Sequence, residues 1–559
     1  MARFSKTRFS KPLLAAGVLV VAALLAALLF FPTGRITRSP KTTASATSHP
    51  IIDALYEEPN TLNPVIGPPS FYAEIVEATM FPNLFVTLPN GKVAPELATV
   101  VPTVANGGIS SNGLIYTFHL RRGVKWSDGA PFTAKDVWET FHVVMSPKVN
   151  AITTAGFSDV KSFQIVNKYE VRITLRKPYT PFISTDWTNT QPGIIPYHIF
   201  KNIPSRDINT ASFNSHPTAT LGPYEFVSWV PGTSITVKAN PHWWGPPVKT
   251  NTIEFKIMPN ESSILLAAKA HEINVDFFAP PEQYAQLKSI SGSDVVLAPF
   301  PDWETVVLNW RNPLLRNRVV RVALAMALDR AAVAKAIWHG GATVLAADQP
   351  PESWGYDAAL KPYSYNPQQA LKMLQGQGYK FRGGTLYTPS GQPFTLVFAT
   401  TSGSPYRQFA QTVWQSNLAR IGIRLVIHDY PASTLFSSAV WQSGKVGGQA
   451  GGWDMLELAQ VNVYDPTVVT EQSFESNNGF YSGYHSAYLD KLIATESSLV
   501  SQSQRKPIFN EIESYIHDQE PWIFLFSWPM VDAAFGMKGY QPNAWYVDSW
   551  NSYAWSLTK

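Results

Sequence analysis

Residues Leu120 to Phe141 read LRRGVKWSDGAPFTAKDVWETF, and their local chemistry dictates a strand, a turn and a capped helix. Just upstream, Leu114, Tyr116, Phe118 and Leu120 alternate with Ile115, Thr117, His119 and Arg121. That is the period-two pattern of a strand with one wetter face. Ser127-Asp128-Gly129 is a turn, because Asp bonds its own backbone and Gly adopts positive φ freely. Thr133 suits a helix N-cap, and Asp136 three positions on completes a capping-box pair. Val137, Phe141 and Val144 then recur at helical spacing, so the helix has one apolar face. The run's Trp126 and Asp128 read as residues that keep the fold rather than bind a ligand.

Working outward, 559 residues exceed one ordinary core, and two or three lobes are expected. Charged residues make up 15% of the chain, against roughly 25% in typical soluble domains. Such sparse charge is compatible with an exported protein in an acidic or otherwise unusual medium. The formal charge of +4 misleads, because residues 1–41 hold seven Lys/Arg and no acid. Removing those seven from the 44 Lys/Arg leaves 37 against 40 acids, a net of −3. No basic body exists to attract nucleic acid. There is no cysteine, which excludes disulfides, thiolate metal sites, cysteine nucleophiles and a lipid-modified cysteine anchor together.

Leu13 to Phe31 is an unbroken apolar run of 19 residues preceded by Arg3, Lys6, Arg8 and Lys11. It is long enough to span a bilayer and longer than the roughly 7–15 residues of a signal-peptide core. The expected order is a basic cytoplasmic region over 1–12, a transmembrane anchor or signal segment over 13–31, and a flexible tether over 32–48. An uncleaved anchor is the preferred reading. Cleavage at the small-residue site Ala44-Ser45-Ala46 is the alternative. Either way the body lies outside the cytoplasm, at the cell surface or secreted.

Catalytic constellations are not found. There is no Gly-rich phosphate loop and no Gly-x-Ser-x-Gly. The eleven histidines are scattered, and His271-Glu272 lacks the second helical histidine of a zinc protease. Glu57-Glu58 reads as a surface acid pair. The expectation is a protein with no catalytic residue, no metal and no cofactor.

The blocks beyond the opening run are equally regular. Tyr169 to Leu175, YEVRITL, alternates as a strand. Thr220 to Trp244, TLGPYEFVSWVPGTSITVKANPHWW, is a hairpin turned by Pro231-Gly232 and closed by Asn240-Pro241-His242-Trp243-Trp244. Glu261 to Phe278 is read as a helix followed by a strand over 273–277. Asn366-Pro367 caps a helix, with Pro at its first position, and Ser404-Pro405 does the same for the helix to Ile421. Gly422 ends the second of these helices before the strand Ile423 to His428.

The Leu120–Phe141 run, that hairpin and Leu308 to Arg330 (LNWRNPLLRNRVVRVALAMALDR) resemble the extracellular solute-binding proteins of family 5. These are the peptide/nickel class of capture subunits of ABC importers, and the resemblance covers about residues 50–527. It implies an α/β, two-lobed, periplasmic-binding-protein-like (class II) fold with mixed sheets and an extra domain inserted in the first lobe. Lobe I would be 49–87, 215–293 and 528–559, the extra domain 88–214, and lobe II 294–527. Ligand would favour the closed state of the lobes, which the membrane permease then recognises. The implied partners are a small solute or peptide, the permease transmembrane subunits and the membrane through the N-terminal segment, for a monomer that binds no nucleic acid. The alternatives are a membrane-tethered solute receptor or sensor, or an importer subunit for a sugar or metal chelate.

The resemblance also implies where the ligand sits. Peptide-binding members carry an Asp four residues before a Pro, and its carboxylate pairs with the peptide amino terminus. Here the segment is Leu458-Ala459-Gln460-Val461-Asn462-Val463-Tyr464-Asp465-Pro466, which puts Asn462 at that position. An amide does not neutralise an ammonium, so a neutral or differently charged solute is expected. Asp465 is the substitute if the register slips by a short step. The candidate ligand-binding set is Phe71, Tyr72, Trp441, Gln460, Asn462 and Asn478, aromatic walls with few polar anchors.

Overall fold

The computed structural model describes residues 49–67, 70–188, 193–476 and 482–558. The expected basic region, membrane segment and tether over 1–48, and the candidate Asn478, lie outside the described residues. No helix among the described residues is long and apolar enough to cross a membrane.

The folded body from residue 48 onward is built on two mixed sheets. The first has seven strands in the order Ser293–Ala298, Met530–Phe535, Val275–Ala279, Ile51–Leu55, Thr252–Ile257, Ser234–Ala239, Tyr224–Val230. Ile51–Leu55 is its centre and runs parallel to both neighbours, with Asp53 opposite Val275 and Phe255. The hairpin read from Pro231-Gly232 is present as Tyr224–Val230 against Ser234–Ala239. The second sheet has six strands in the order Thr343–Val344, Trp522–Ser527, Trp303–Leu308, Met455–Gln460, Thr395–Thr401, Arg424–Tyr430. Thr395–Thr401 is parallel to both of its neighbours.

The chain passes between the sheets twice, through 299–302 and through 528–529. The strand Ser293–Ala298 pairs along its whole length with Met530–Phe535, so the first crossing falls after Ala298. Each lobe has its own apolar core, around Ile51, Phe255 and Val275 in the first and around Leu396, Phe398 and Trp414 in the second.

The opening run folds as its chemistry dictates. The strand is Ile115–His119, with Tyr116 and Phe118 buried, and it pairs with Glu170–Leu175 in a three-stranded antiparallel sheet. Gly129 closes the turn at φ 88°. The helix is Ala134–Val144 and its capping box is complete: Thr133 caps the helix, and Asp136 Oδ2 accepts the Thr133 N–H at 2.7 Å. Asp136 does more than cap. Its Oδ1 accepts the indole N–H of fully buried Trp126 at 3.2 Å and the Tyr197 N–H at 3.0 Å. One carboxylate thus ties the turn, the helix and a later segment together, inside the same core as the seven-stranded sheet.

Two local expectations need correction. The helix after Thr395–Thr401 spans Pro405–Ala419, but Ser404 makes no side-chain cap, and its hydroxyl has no partner. The stretch from Glu261 is helical only over Glu261–Lys269, and the following strand is Val275–Ala279, shifted by two residues. A left-handed His271 at φ 56° makes the turn between them.

Candidate functional site

The cavity that separates the two lobes has a volume of about 730 Å³, within the roughly 300–1,000 Å³ of small-ligand sites. Its position follows from strand direction. Tyr56 and Glu57 emerge from the carboxyl end of Ile51–Leu55, Phe278 to Gln283 from the end of Val275–Ala279, and Gly403 to Tyr406 just beyond Thr395–Thr401. Trp528 and Pro529 of the second crossing, with Met530 and Val531 of the strand that follows, complete the lining. Loops at the carboxyl ends of parallel strands are free of ladder hydrogen bonds and converge in a crevice, which is why α/β ligand sites form there.

Aromatic rings form both walls. Tyr56 and Tyr72 lie 6.3 Å apart on the first lobe. Trp338 stands 6.0 Å from Tyr406 and stacks on Trp528 at 5.9 Å. Phe278 is held at φ 68°, a strained setting for a bulky residue that costs about 1–3 kcal/mol. Its N–H donates to Asp532 at 3.4 Å, and its ring faces the cavity.

The polar groups are one-sided. The lining carries Glu57, Glu261 and Glu282 and no Lys, Arg or His. Burial, then the neighbouring Glu282, pushes the Glu261 carboxyl up to about 7. Burial, then Glu261 and Glu57, drives the Tyr72 phenol far up, so it stays a neutral donor. On the other wall the Tyr406 hydroxyl donates to Glu304 Oε1 at 2.7 Å. The same oxygen accepts from Arg407 at 2.6 and 3.1 Å, so the cation behind that wall is already neutralised.

Beyond the cavity the lobes also touch. Tyr464 meets Trp545 edge-on at 5.4 Å, His339 lies 3.2 Å from the Pro281 carbonyl, and the Thr180 hydroxyl donates to the Leu499 carbonyl.

Of the residues expected from sequence, Tyr72 lines the cavity. Phe71 supports it from behind, stacked on Phe277 at 4.9 Å. Gln460 and Asn462 belong to a buried polar cluster of the second lobe rather than to the lining. The Asn462 N–H donates to Asp302 at 2.9 Å, its Oδ1 accepts from Val463 N–H at 3.1 Å, and its Nδ2 reaches Gln349 Oε1 at 3.4 Å. Gln460 Nε2 is buried without a partner. Trp441 packs edge-on against Phe436 at 5.6 Å, outside the lining. Asp465 is committed elsewhere: Arg505 grips it with two bonds of 2.7 and 2.6 Å.

Sequence reasoning missed Glu261, Glu282, Trp338, Tyr406 and Trp528; it read Glu57 and Glu58 as a surface pair, and both are exposed, with Glu57 also in the cavity lining. Glu58, outside the lining, accepts from Trp229 and Gly232 at 2.8 and 2.9 Å. The available signal was position: Glu57 follows the carboxyl end of the first strand directly.

Two lobes joined by two crossings, with a lined cavity at the strand ends, is the architecture that the opening run suggested. The profile of the family 5 bacterial extracellular solute-binding proteins (middle region) matches residues 92–480. The chain belongs to that family. Its relatives include the oligopeptide-binding protein AppA of Bacillus subtilis, 26% identical over 419 residues that cover 74% of this chain and 75% of that one. The crystal structure of NikZ from Campylobacter jejuni in complex with Ni(L-His) superposes with a TM-score of 0.74 at 25% identity, covering 91% of this chain and 99% of that one. NikA from Brucella suis, in complex with Fe(III)-EDTA, shares the fold with a TM-score of 0.79 at 19% identity, over 91% and 100% of the two chains. Family 5 proteins are extracytoplasmic, two-lobed solute-binding proteins of ABC importers rather than enzymes.

Proposed function

We propose that this family 5 protein captures a peptide or similar small solute in the inter-lobe cavity and delivers it to the membrane permease of an ABC importer. The observation that carries this reading is the 730 Å³ cavity, lined by both lobes and by the second chain crossing. A solute there touches both walls at once, so its binding energy is largest when the lobes are together, and occupancy becomes lobe closure. The permease reads the closed surface. The cavity's lining residues, with Phe71 behind them, form the site, and Gln460 and Asn462 lie outside the lining in the buried polar cluster of the second lobe. The protein acts as a monomer, held at the outer face of the membrane by the apolar segment Leu13 to Phe31.

Native mass spectrometry of the purified full chain tests capture. A mass increment that is lost on denaturation, or a thermal shift with peptides, sugars or chelates, is the expected result. Absence of both, or product release from incubated peptides, overturns the reading. The tether is tested by fractionation: the mature protein pellets with membranes, and a secreted form beginning near residue 47 overturns it.

A further inference from the structure

Resting on the reading that the inter-lobe cavity is the solute site, we propose that its solute is an organic cation. An ammonium or guanidinium would sit against Glu57, Glu261 and Glu282, with its body between the aromatic walls.

Charge is the first argument. Three carboxyl side chains and no basic one line the cavity. Behind the lining, Arg407 is bound to Glu304, and the Lys269 ammonium donates to the lining residue Gln286 at 3.0 Å. An anion entering here would meet like charge with no basic side chain among the described lining residues, and a neutral solute would leave the carboxylates without a countercharge. Inside a closed cleft, where water is displaced, such an imbalance is felt more strongly than on a surface.

A second, independent observation points the same way. Gln283, on the wall beside Glu282, is only 8% exposed, and its Oε1 has no hydrogen-bond donor. Buried acceptors are nearly always satisfied. An ammonium brings three donors and a guanidinium five, enough to serve the Gln283 oxygen together with the carboxylates beside it. The rings supply the rest, because aromatic faces attract cations within about 6 Å. Opposite, buried Trp338 Nε1 has no acceptor among the described residues, and a carbonyl or hydroxyl at the far end of the solute would supply one. A basic peptide meets both requirements. The cation is thus recognised by the first lobe, although Asn462 of the second is an amide.

The test compares capped tripeptides, acetyl-Ala-X-Ala-amide with X as Lys, Gln or Glu, by calorimetry on the full chain at low ionic strength. 1,5-Diaminopentane is added to test whether a bare cation suffices. The Lys peptide is expected to bind at least about tenfold more tightly than the Gln peptide, a difference typical of one charge-assisted hydrogen bond. The Glu peptide binds weakest, and the diamine competes with the Lys peptide. Glu261→Gln and Glu282→Gln each lower Lys-peptide affinity by a larger factor than Gln-peptide affinity, a change in selectivity that misfolding would not produce. Gln or Glu peptides binding as tightly as Lys, or no binding of either cation, overturns the proposal. Solute capture itself is judged separately, by whether any co-purified mass is present.

Discussion

Asn462 illustrates how one side chain's neighbours decide what it does. Its amide oxygen and nitrogen are both engaged, and its backbone N–H feeds Asp302, whose carboxyl burial raises to about 8. A carboxylate there would face that acidic group and the Gln349 oxygen, which already accepts from the Ser353 hydroxyl at 2.7 Å. Asn462→Asp is therefore expected to lose about 1–3 kcal/mol at neutral pH, the cost of an unsatisfied buried acceptor. It is expected to gain no affinity for free-amine peptides. Denaturant melts and calorimetry check both, and a stable variant that binds free amines would show that the side chain reaches the solute. Glu261 makes the complementary case. Its neighbours are Glu282, Tyr72 and Asp276, all acids. With its carboxyl at about 7, a cationic solute binds the ionised form, so affinity rises from pH 6 to pH 8. A flat profile would remove Glu261 from the contact. The sequence made the departure at Asn462 visible, but not that Asp302 and Gln349 hold it, because those residues come from segments far apart in the chain.

At the scale of elements, local signals were read well and long-range ones were not. The capping box at Thr133 and the hairpin at Pro231-Gly232 are set by residues within a few positions of each other, and both formed as expected. Ser404 makes no side-chain cap and lies in the cavity lining with Gly403 and the first helical residues Pro405 and Tyr406. The acidic wall draws on three separate stretches, and no periodicity connects Glu57, Glu261 and Glu282. Asp136 shows how a local motif acquires long-range weight, since Asp136→Ala would orphan the donors of Trp126, Thr133 and Tyr197 together. A cap alone is worth about 1 kcal/mol. The loss here is expected to be about 2–4 kcal/mol, because buried donors are left unpaired as well. Thr133→Ala is the control, with the smaller loss of the cap alone. In the second lobe the helix Gln502–Gln519 is pinned by Arg505, which reaches Asp465, Glu496 and Thr467 while 2% exposed. Arg505→Ala strands two buried carboxylates and is expected to cost about 3–5 kcal/mol, read as a lower unfolding midpoint.

For the whole molecule, the sparse charge of the sequence has a counterpart in where the acids are. Asp53, Asp276, Asp532 and Asp548 lie buried in and against the seven-stranded sheet, and none forms an ion pair among the described residues. Burial raises all four, and like-charge neighbours add to it: Asp276 beside Asp53, and Asp532 against Asp548. Burial likewise raises Asp276 to about 7 and Glu96 and Glu520 to about 8. The unfolded chain ionises such groups near pH 4, so between about pH 4 and pH 8 the folded state holds more protons than the unfolded one. Stability then falls as pH rises, by up to about 1.4 kcal/mol per pH unit for each such group. The benefit is complete below about pH 4 and is lost as pH passes through 7 to 8. The protein is accordingly expected to melt highest near pH 4–5 and several degrees lower at pH 8, followed by calorimetry or circular dichroism. Asp532→Asn with Asp548→Asn removes one facing pair of titrating groups while keeping its shape. The double variant should match the parent at pH 5 and exceed it at pH 8. A melting temperature that stays level or climbs from pH 5 to pH 8 would mean that water or relaxation, not protons, satisfies these carboxyls.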